Sequence, residues 1–172
     1  MKTARKPYFI IYILVFIAII AVDRFTKHLV TANMQVGEAI PNVEAFFSIH
    51  YVRNDGVAFS LLQGNPELLI VLQSVIFALI TCFLVVAYIK KFPTLLLVAL
   101  TFVISGGAGN LIDRVQFHYV IDFISVGSFP IWNVADMAVV GGCILIAIYI
   151  LFAHGKEKSE EDEGELEEEN AL

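Results

Sequence analysis

Four uncharged apolar stretches leave this chain little choice of environment. Leu68–Ile89 and Phe92–Ile112 contain no Asp, Glu, Lys or Arg, and Pro7–Val22 and Met137–Ala153 are equally uncharged but shorter. A helix needs roughly 20 apolar residues to cross a hydrocarbon core ~30 Å thick. The second and third stretches meet that length alone. The first and fourth meet it by taking in Asp23 and Asp136 near their ends, the fourth also drawing on the mildly polar Phe123–Ala135 before it. A mean hydropathy of +0.78 with 58% hydrophobic residues is too apolar for a soluble domain of this size. The sequence predicts an all-α polytopic membrane protein. Its four transmembrane helices fall at about 8–29, 66–89, 93–114 and 131–153, in one membrane-embedded domain over residues 1–155.

The net charge of −6 reflects one segment. Nine of the 17 acidic residues lie in Glu157–Glu169, "EKSEEDEGELEEE". A block of like charge without apolar periodicity reads as a disordered tail, here residues 156–172 on the cytoplasmic side. No basic patch with interleaved aromatics points to nucleic acid. Cys82 and Cys143 lie inside apolar runs without C-x-x-C spacing and read as small core residues. "MKTARK" before an apolar stretch imitates a secretory signal, but no small-x-small cleavage site follows, so an uncleaved first helix is expected.

Orientation follows from the positive residues. Lys2, Arg5 and Lys6 precede helix 1, Lys90 and Lys91 join helices 2 and 3, and Lys156 and Lys158 follow helix 4. The positive-inside rule therefore places both termini and the 2–3 turn in the cytoplasm. Asp23, Lys27, Asn110, Asp113, Arg114, Asn133 and Asp136 then all belong to the outer helix ends, and the inner halves carry no comparable set.

Ionisable groups near hydrocarbon are costly and usually pair inside a bundle. Asp23 and Lys27 stand i,i+4 apart, and a stabilising interfacial ion pair is the simplest reading of them. Asn110 shares a helix face with Asp113 and Arg114. In "SGGAGNLIDR" (105–114), Gly106, Gly107 and Gly109 permit close backbone approach, which serves helix packing or the wall of a site equally well. The outer loop over 35–65 predicts a small β-hairpin or sheet between helices 1 and 2, with strands at 46–52 and 56–62 about the turn at Asp55-Gly56. Asn54 there reads as turn chemistry. Asn65-Pro66-Glu67 reads as the start of helix 2, with N-cap, proline at N1 and an acid in the first turn.

Among chemistries, G-x-S-x-G and H-E-x-x-H are absent from the sequence, and His28, His50, His118 and His154 are scattered, so a metal site is not expected. A Ser–Lys dyad would need Lys27 beside Ser48 or Ser60, and the spacing gives no support. Carboxylates remain: Asp113, Asp122 and Asp136. Two carboxyls that share a proton can divide the work, one activating water and the other donating to a carbonyl. Asp113 suits this least, since Arg114 beside it favours the ionised form if their side chains meet. Asp122, set among apolar residues in "HYVIDFI", suits the protonated role. "NVAD" (133–136) resembles a capping box, and a helix N-terminus favours a carboxylate, which gives Asp136 the base-like role.

Taken in order, these motifs resemble those of lipoprotein signal peptidase (signal peptidase II). "DRFTK" (23–27) is similar to the family's D-x-x-T-K, and "RNDGVAF" (53–59) to R-N-x-G-x-A-F. "GNLIDR" (109–114) is similar to G-N-x-x-D-R, "VIDF" (120–123) to V-V-D-F, and "WNVAD" (132–136) to F-N-x-A-D. Each is weak alone; five in order over four helices are specific, and they cover nearly all the chain except its acidic tail. The resemblance implies an aspartyl endopeptidase of the bacterial inner membrane, working at the outer face without cofactor. It would cut diacylglyceryl-modified prolipoproteins before the lipidated cysteine, and globomycin-type inhibitors would block it. By the same resemblance Asp122 and Asp136 are catalytic, Asn54, Asn110, Arg114 and Asn133 bind substrate, and Asp23, Lys27 and Asp113 support the site. Three departures stand out: "SGGAGN" shifts the family's small residues, Trp132 replaces a common phenylalanine, and Asp122 and Asp136 lie close in sequence. The rival readings are a small four-helix transporter or ion-coupled carrier, and a non-catalytic assembly or lipid-binding protein. A carrier would need polar residues through both halves of the membrane.

Overall fold

The computed structural model describes residues 9–41, 47–56 and 65–170. Within them the chain runs α1 (Phe9–Asn33), β1 (Ala39–Pro41), β2 (Phe47–Asn54), α2 (Pro66–Ile89), α3 (Thr94–Phe117), β3 (Val120–Val126) and α4 (Val134–Asn170). All four helices contain a segment long and apolar enough to cross a membrane, Val134–Phe152 being that part of α4. Helices satisfy their own backbone hydrogen bonds, which is what hydrocarbon demands of a spanning segment.

α3 is the buried centre: 61% of its membrane-spanning stretch is covered, against 6–17% for the other three. α1, α2 and α4 all pack on it, α4 most extensively. The sequence explains α4's place. A Cβ at Gly106 would stand 2.2 Å from the Ala135 carbonyl oxygen, and one at Gly142 2.7 Å from that of Ala99. Both helices therefore meet along glycine, which lets their backbones close on each other. Leucines, isoleucines and phenylalanines on the outer faces, Leu79, Ile89 and Phe152 among them, stay exposed as a lipid-facing surface would. Cys82 and Cys143 are exposed there too, not core residues as expected. In helices apolar on every side, hydrophobicity does not separate inward from outward positions.

At one end of the bundle Tyr12, Ala87, Leu96, Leu97 and Leu100 form an apolar cluster under the tight α2–α3 turn. At the other end a three-stranded antiparallel sheet, order β1-β2-β3, sits on the end of α1 through Val30, Met34, Tyr51, Ile121 and Phe123. A small sheet lies between α1 and α2 as expected, but its hairpin there is β1–β2, Ala39–Pro41 against Ser48–His50, rather than one about Asp55-Gly56. The third strand comes from the α3–α4 connection. The predicted strand at 56–62 lies outside the described residues beyond Gly56. Asn65 occupies the N-cap of α2 without a side-chain capping bond; Pro66 and Glu67 stand where predicted.

α4 continues as helix to Asn170, where the sequence predicted a disordered tail from residue 156. A helix already formed upstream removes the nucleation cost, and glutamate, lysine and leucine propagate it well.

Candidate active site

Two sharp chain reversals build the site. His118 takes a left-handed conformation, φ 63°, with its N–H donating to the Arg114 carbonyl, and it turns the end of α3 directly into β3. Beyond β3 the chain leaves at Gly127, φ 54°, and returns at once: Trp132 pairs with Ile124, its N–H donating to the Ile124 carbonyl at 2.9 Å. The next residue, Asn133, is thereby laid beside β3 as α4 begins. The closeness of Asp122 and Asp136 in sequence thus corresponds to a short return loop.

Asn133 caps α4 reciprocally with Asp136. The Asp136 N–H donates to Asn133 Oδ1 at 2.9 Å, and the Asn133 N–H donates to Asp136 Oδ2 at 3.1 Å. The capping box read from "NVAD" is therefore present. Asn133 also looks across to β3, where its Nδ2 donates to Asp122 Oδ1 at 2.7 Å. The other Asp122 oxygen accepts from Asn54 Nδ2 at 2.8 Å. That reach follows from register: Asn54 pairs with Val120 and Val52 with Asp122, so Asn54 and Asp122 are diagonal neighbours on one face of the sheet. Asn54 Oδ1 meanwhile accepts from the Gly56 N–H at 3.1 Å, so the turn chemistry is real and the residue serves the site as well.

Asn110, from α3, completes the circuit. Its Nδ2 donates to Asp136 Oδ1 at 2.7 Å, and its Oδ1 accepts from Asn133 Nδ2 and from Lys27 Nζ, both at 3.0 Å. Asp122 and Asp136 are thus linked through two asparagines. Both carboxylates, with Asn54, Asn110 and Arg114, line a cavity of about 620 Å³. Its apolar wall comes from Leu69, Leu72 and Ile76 of α2, Val140 of α4 and Trp132. Burial pushes the Asp122 carboxyl up to about 7, and the nearby Asp136 carboxylate adds to the rise. Hydrogen bonds from Asn54 and Asn133 and the charge of Lys27 pull the other way.

Beneath the cavity lies a buried charge cluster. Lys27 Nζ stands 3.0 Å from Asp23 Oδ2, the predicted i,i+4 pair, and 2.8 Å from Asp113 Oδ2. Arg24 pairs with Asp113 Oδ1 and approaches Asp23 at 3.7 Å. Asp113 and Arg114 do not form the neighbouring pair considered from the sequence; the side-chain partners of Asp113, Arg24 and Lys27, come from α1. Adjacent helix positions point in different directions, so Arg114 turns away. Arg114 Nη1 donates to Gln73 Oε1 at 2.9 Å, and its Nη2 donates to the Gly56 carbonyl at 2.8 Å.

Every predicted site residue is therefore at or beside one cavity. Sequence reasoning missed two participants. Gln73 was legible as the lone carboxamide in the uncharged run Leu68–Ile89, a polar group that must find a partner in a membrane. Arg24 adjoins a residue that was singled out, and only the arrangement of α1 against α3 reveals its partner. Among the described residues no three His, Cys, Asp or Glu side chains converge as a metal-ligand group.

The chain matches the model of one protein family, signal peptidase (SPase) II, over residues 15–152. It is 32% identical to the lipoprotein signal peptidase of Moorella thermoacetica, across 87% of this chain and 98% of that protein. It is 42% identical to that of Dehalococcoides mccartyi, across 78% and 86% respectively. Among solved structures it resembles a bacterial membrane enzyme determined by the in meso method at 2.3 Å resolution. The TM-score is 0.78, with 30% identity over 87% of this chain and 92% of that one. A second in meso bacterial membrane enzyme, at 1.9 Å, gives a TM-score of 0.73 with 31% identity over 84% and 94%. With the family's model spanning the four helices and the sheet, the chain belongs to the signal peptidase II family of aspartic-type membrane peptidases.

Proposed function

We propose that the protein removes signal peptides from diacylglyceryl-modified prolipoproteins, cleaving before the lipidated cysteine, with Asp122 and Asp136 as the catalytic pair. The observation that carries this reading is the hydrogen-bonded path Asp122–Asn133–Asn110–Asp136, which ties two carboxyls into one cavity with an apolar wall.

Asp122, raised toward neutrality, holds the proton, and Asp136 accepts one from water. Water oxygen attacks the scissile carbonyl carbon while its proton passes to Asp136 and the Asp122 proton passes to the carbonyl oxygen. The neutral gem-diol then collapses: the C–N bond breaks, the leaving nitrogen takes the proton from Asp136, and a hydroxyl proton returns to Asp122. Arg114, Asn54, Asn110 and Asn133 grip the substrate backbone around this centre. Leu69, Leu72 and Ile76 offer the lipid portion an apolar flank. The lysines and arginines at the two ends of the chain and at the α2–α3 turn support a cavity at the outer membrane boundary, where a lipid-anchored substrate can diffuse in laterally and water is at hand. Two buried hydroxyls deeper in α3 tell against the carrier alternative: Thr101 and Ser105 each bond the carbonyl four residues back, at 2.7 and 2.6 Å, and offer no relay.

The test is cleavage of a diacylglyceryl prolipoprotein by the purified protein. Wild type cleaves and is blocked by globomycin, whereas Asp122→Asn and Asp136→Asn do not cleave. Undiminished cleavage by either variant would overturn the assignment.

A further inference from the structure

The buried charge cluster does more than join α1 to α3. Asp113 Oδ2 accepts from the backbone N–H of Ile121 at 3.2 Å, and Asp23 Oδ1 accepts from that of Ala135 at 3.0 Å. Ile121 immediately precedes Asp122, and Ala135 immediately precedes Asp136. Lys27 contacts both of these carboxylates and also Asn110, which bonds Asp136. Asp23, Lys27 and Asp113 are buried almost completely, at 0–1% exposure.

We propose that Asp23, Lys27 and Asp113 form a positioning unit that sets Asp122 and Asp136 relative to each other by holding the backbone amide just upstream of each. Neither Asp23 nor Asp113 is a catalytic residue on this reading; each acts through a neighbour's amide. The unit uses amides that need a partner anyway. Ala135 is the second residue of α4, where a helix N–H has no partner within its own helix. Ile121 is the second residue of β3, just after the His118 turn, where both position and direction of the strand are being set. A carboxylate is a strong acceptor for both, and Lys27 with Arg24 balances the two negative charges so that they can stay buried. The two supports converge on one ammonium group, so a shift at either amide is felt at the other through Lys27. The inference rests on the catalytic pair assigned above and adds to it the device that fixes its geometry.

Simple glue and positioning make different predictions. Glue would cost stability and leave the folded enzyme with its ordinary turnover. Positioning moves kcat and spares KM, because the groups that grip substrate are not displaced. The experiment measures kcat and KM separately on the full chain in detergent with a synthetic diacylglyceryl prolipopeptide. Asp113→Ala and Asp23→Ala should lose kcat by about 10²-fold, the scale of a misplacement near 1 Å. KM should stay within about threefold of wild type. Asp113→Asn and Asp23→Asn keep a carbonyl oxygen for the same amide and should recover about tenfold of the loss, since the neutral acceptor is weaker but present. Lys27→Met is the second measurement, needed if an alanine variant does not stay folded. It cuts the link and leaves each carboxylate its amide, so kcat should fall by about tenfold, and any rise in KM through the lost bond to Asn110 should be smaller than that fall. Wild-type kcat in folded Lys27→Met, losses confined to KM, or Asn variants no better than Ala would overturn the proposal. Asp122→Asn and Asp136→Asn are run alongside. If either cleaves like wild type, the catalytic assignment itself fails; if both are inactive while the positioning variants keep wild-type kcat, only the positioning unit fails.

Discussion

The side-chain amide of Asn133 donates to Asp122 Oδ1 at 2.7 Å, across the short loop that separates β3 from α4. The same residue caps Asp136, so one asparagine faces both carboxyls with different atoms. The two duties separate by substitution. Asn133→Asp keeps an oxygen for the Asp136 N–H and so keeps the cap. It loses the donor to Asp122 and adds a third carboxylate to the cavity. Asn133→Ala loses both, and loss of a cap costs about 1 kcal/mol. Both variants should lose activity by about tenfold or more, as expected where a carboxylate loses a buried donor. Only Asn133→Ala should also show a lowered thermal midpoint from cap loss. Cleavage assays and thermal unfolding in detergent check this; an active Asn133→Asp would show that capping is the residue's whole role.

The pH dependence follows from Asp122. Its carboxyl stands at about 7 rather than the ordinary 3.8, chiefly through burial and then through the charge of Asp136. If Asp122 must carry the proton, kcat/KM should fall as pH rises through about 7. The sign for stability is the same. Between 3.8 and about 7 the folded protein holds a proton that the unfolded chain releases, so this group's contribution is fullest below 3.8 and is lost as pH rises through about 7. Asp122→Asn should flatten the decline in thermal midpoint over that range. An infrared titration of the Asp122 carboxyl in Asp136→Asn should give a midpoint below that of wild type, because a like charge has been removed. An unchanged midpoint would mean that the two carboxyls do not sense each other.

How far the sequence spoke depends on the kind of contact. The four helices were legible because hydrocarbon leaves few alternatives to long uncharged runs, and "NVAD" because a capping box is local. Asp23 with Lys27 was legible for the same reason: one helix turn fixes the pair. Arg24 with Asp113 joins two helices 89 residues apart in the chain, and no local spacing encodes it. The third strand was read as part of the loop between helices 3 and 4 because Val120–Val126 finds its partner only once β2 arrives from between α1 and α2. Cys82 and Cys143 were misplaced for the opposite reason, since lipid and protein interior accept the same side chains.

Gly106 and Gly107 give a paired test of close packing. A Cβ at Gly106 meets the Ala135 carbonyl oxygen at 2.2 Å, whereas one at Gly107 meets nothing within 4 Å. Gly106→Ala must push the start of α4 from α3, moving Asp136 with it, and overpacking of this kind costs about 1–3 kcal/mol. Gly107→Ala should leave both thermal midpoint and turnover near wild type. Equal behaviour of the two variants would show that the α3–α4 approach is not set at Gly106.

Gln73 should act through Arg114 and show itself in KM. Its Oε1 accepts from Arg114 at 2.9 Å, while its Nε2 donates to the Gly107 carbonyl at 3.0 Å, so the side chain fixes the guanidinium between α2 and α3. Arg114 in turn holds the Gly56 carbonyl and borders the cavity. Gln73→Leu removes both bonds without changing bulk greatly, and leaves Arg114 anchored only toward Gly56. A hydrogen bond to a charged group is worth about 1.5–3 kcal/mol. If Arg114 grips substrate equally in ground and transition states, KM should rise by about tenfold or more while kcat is held. Gln73→Glu, which restores an acceptor for Arg114, should recover KM in part despite losing the donor to Gly107. A fall in kcat with KM unchanged would place Arg114 among the groups that act on the reacting bond itself.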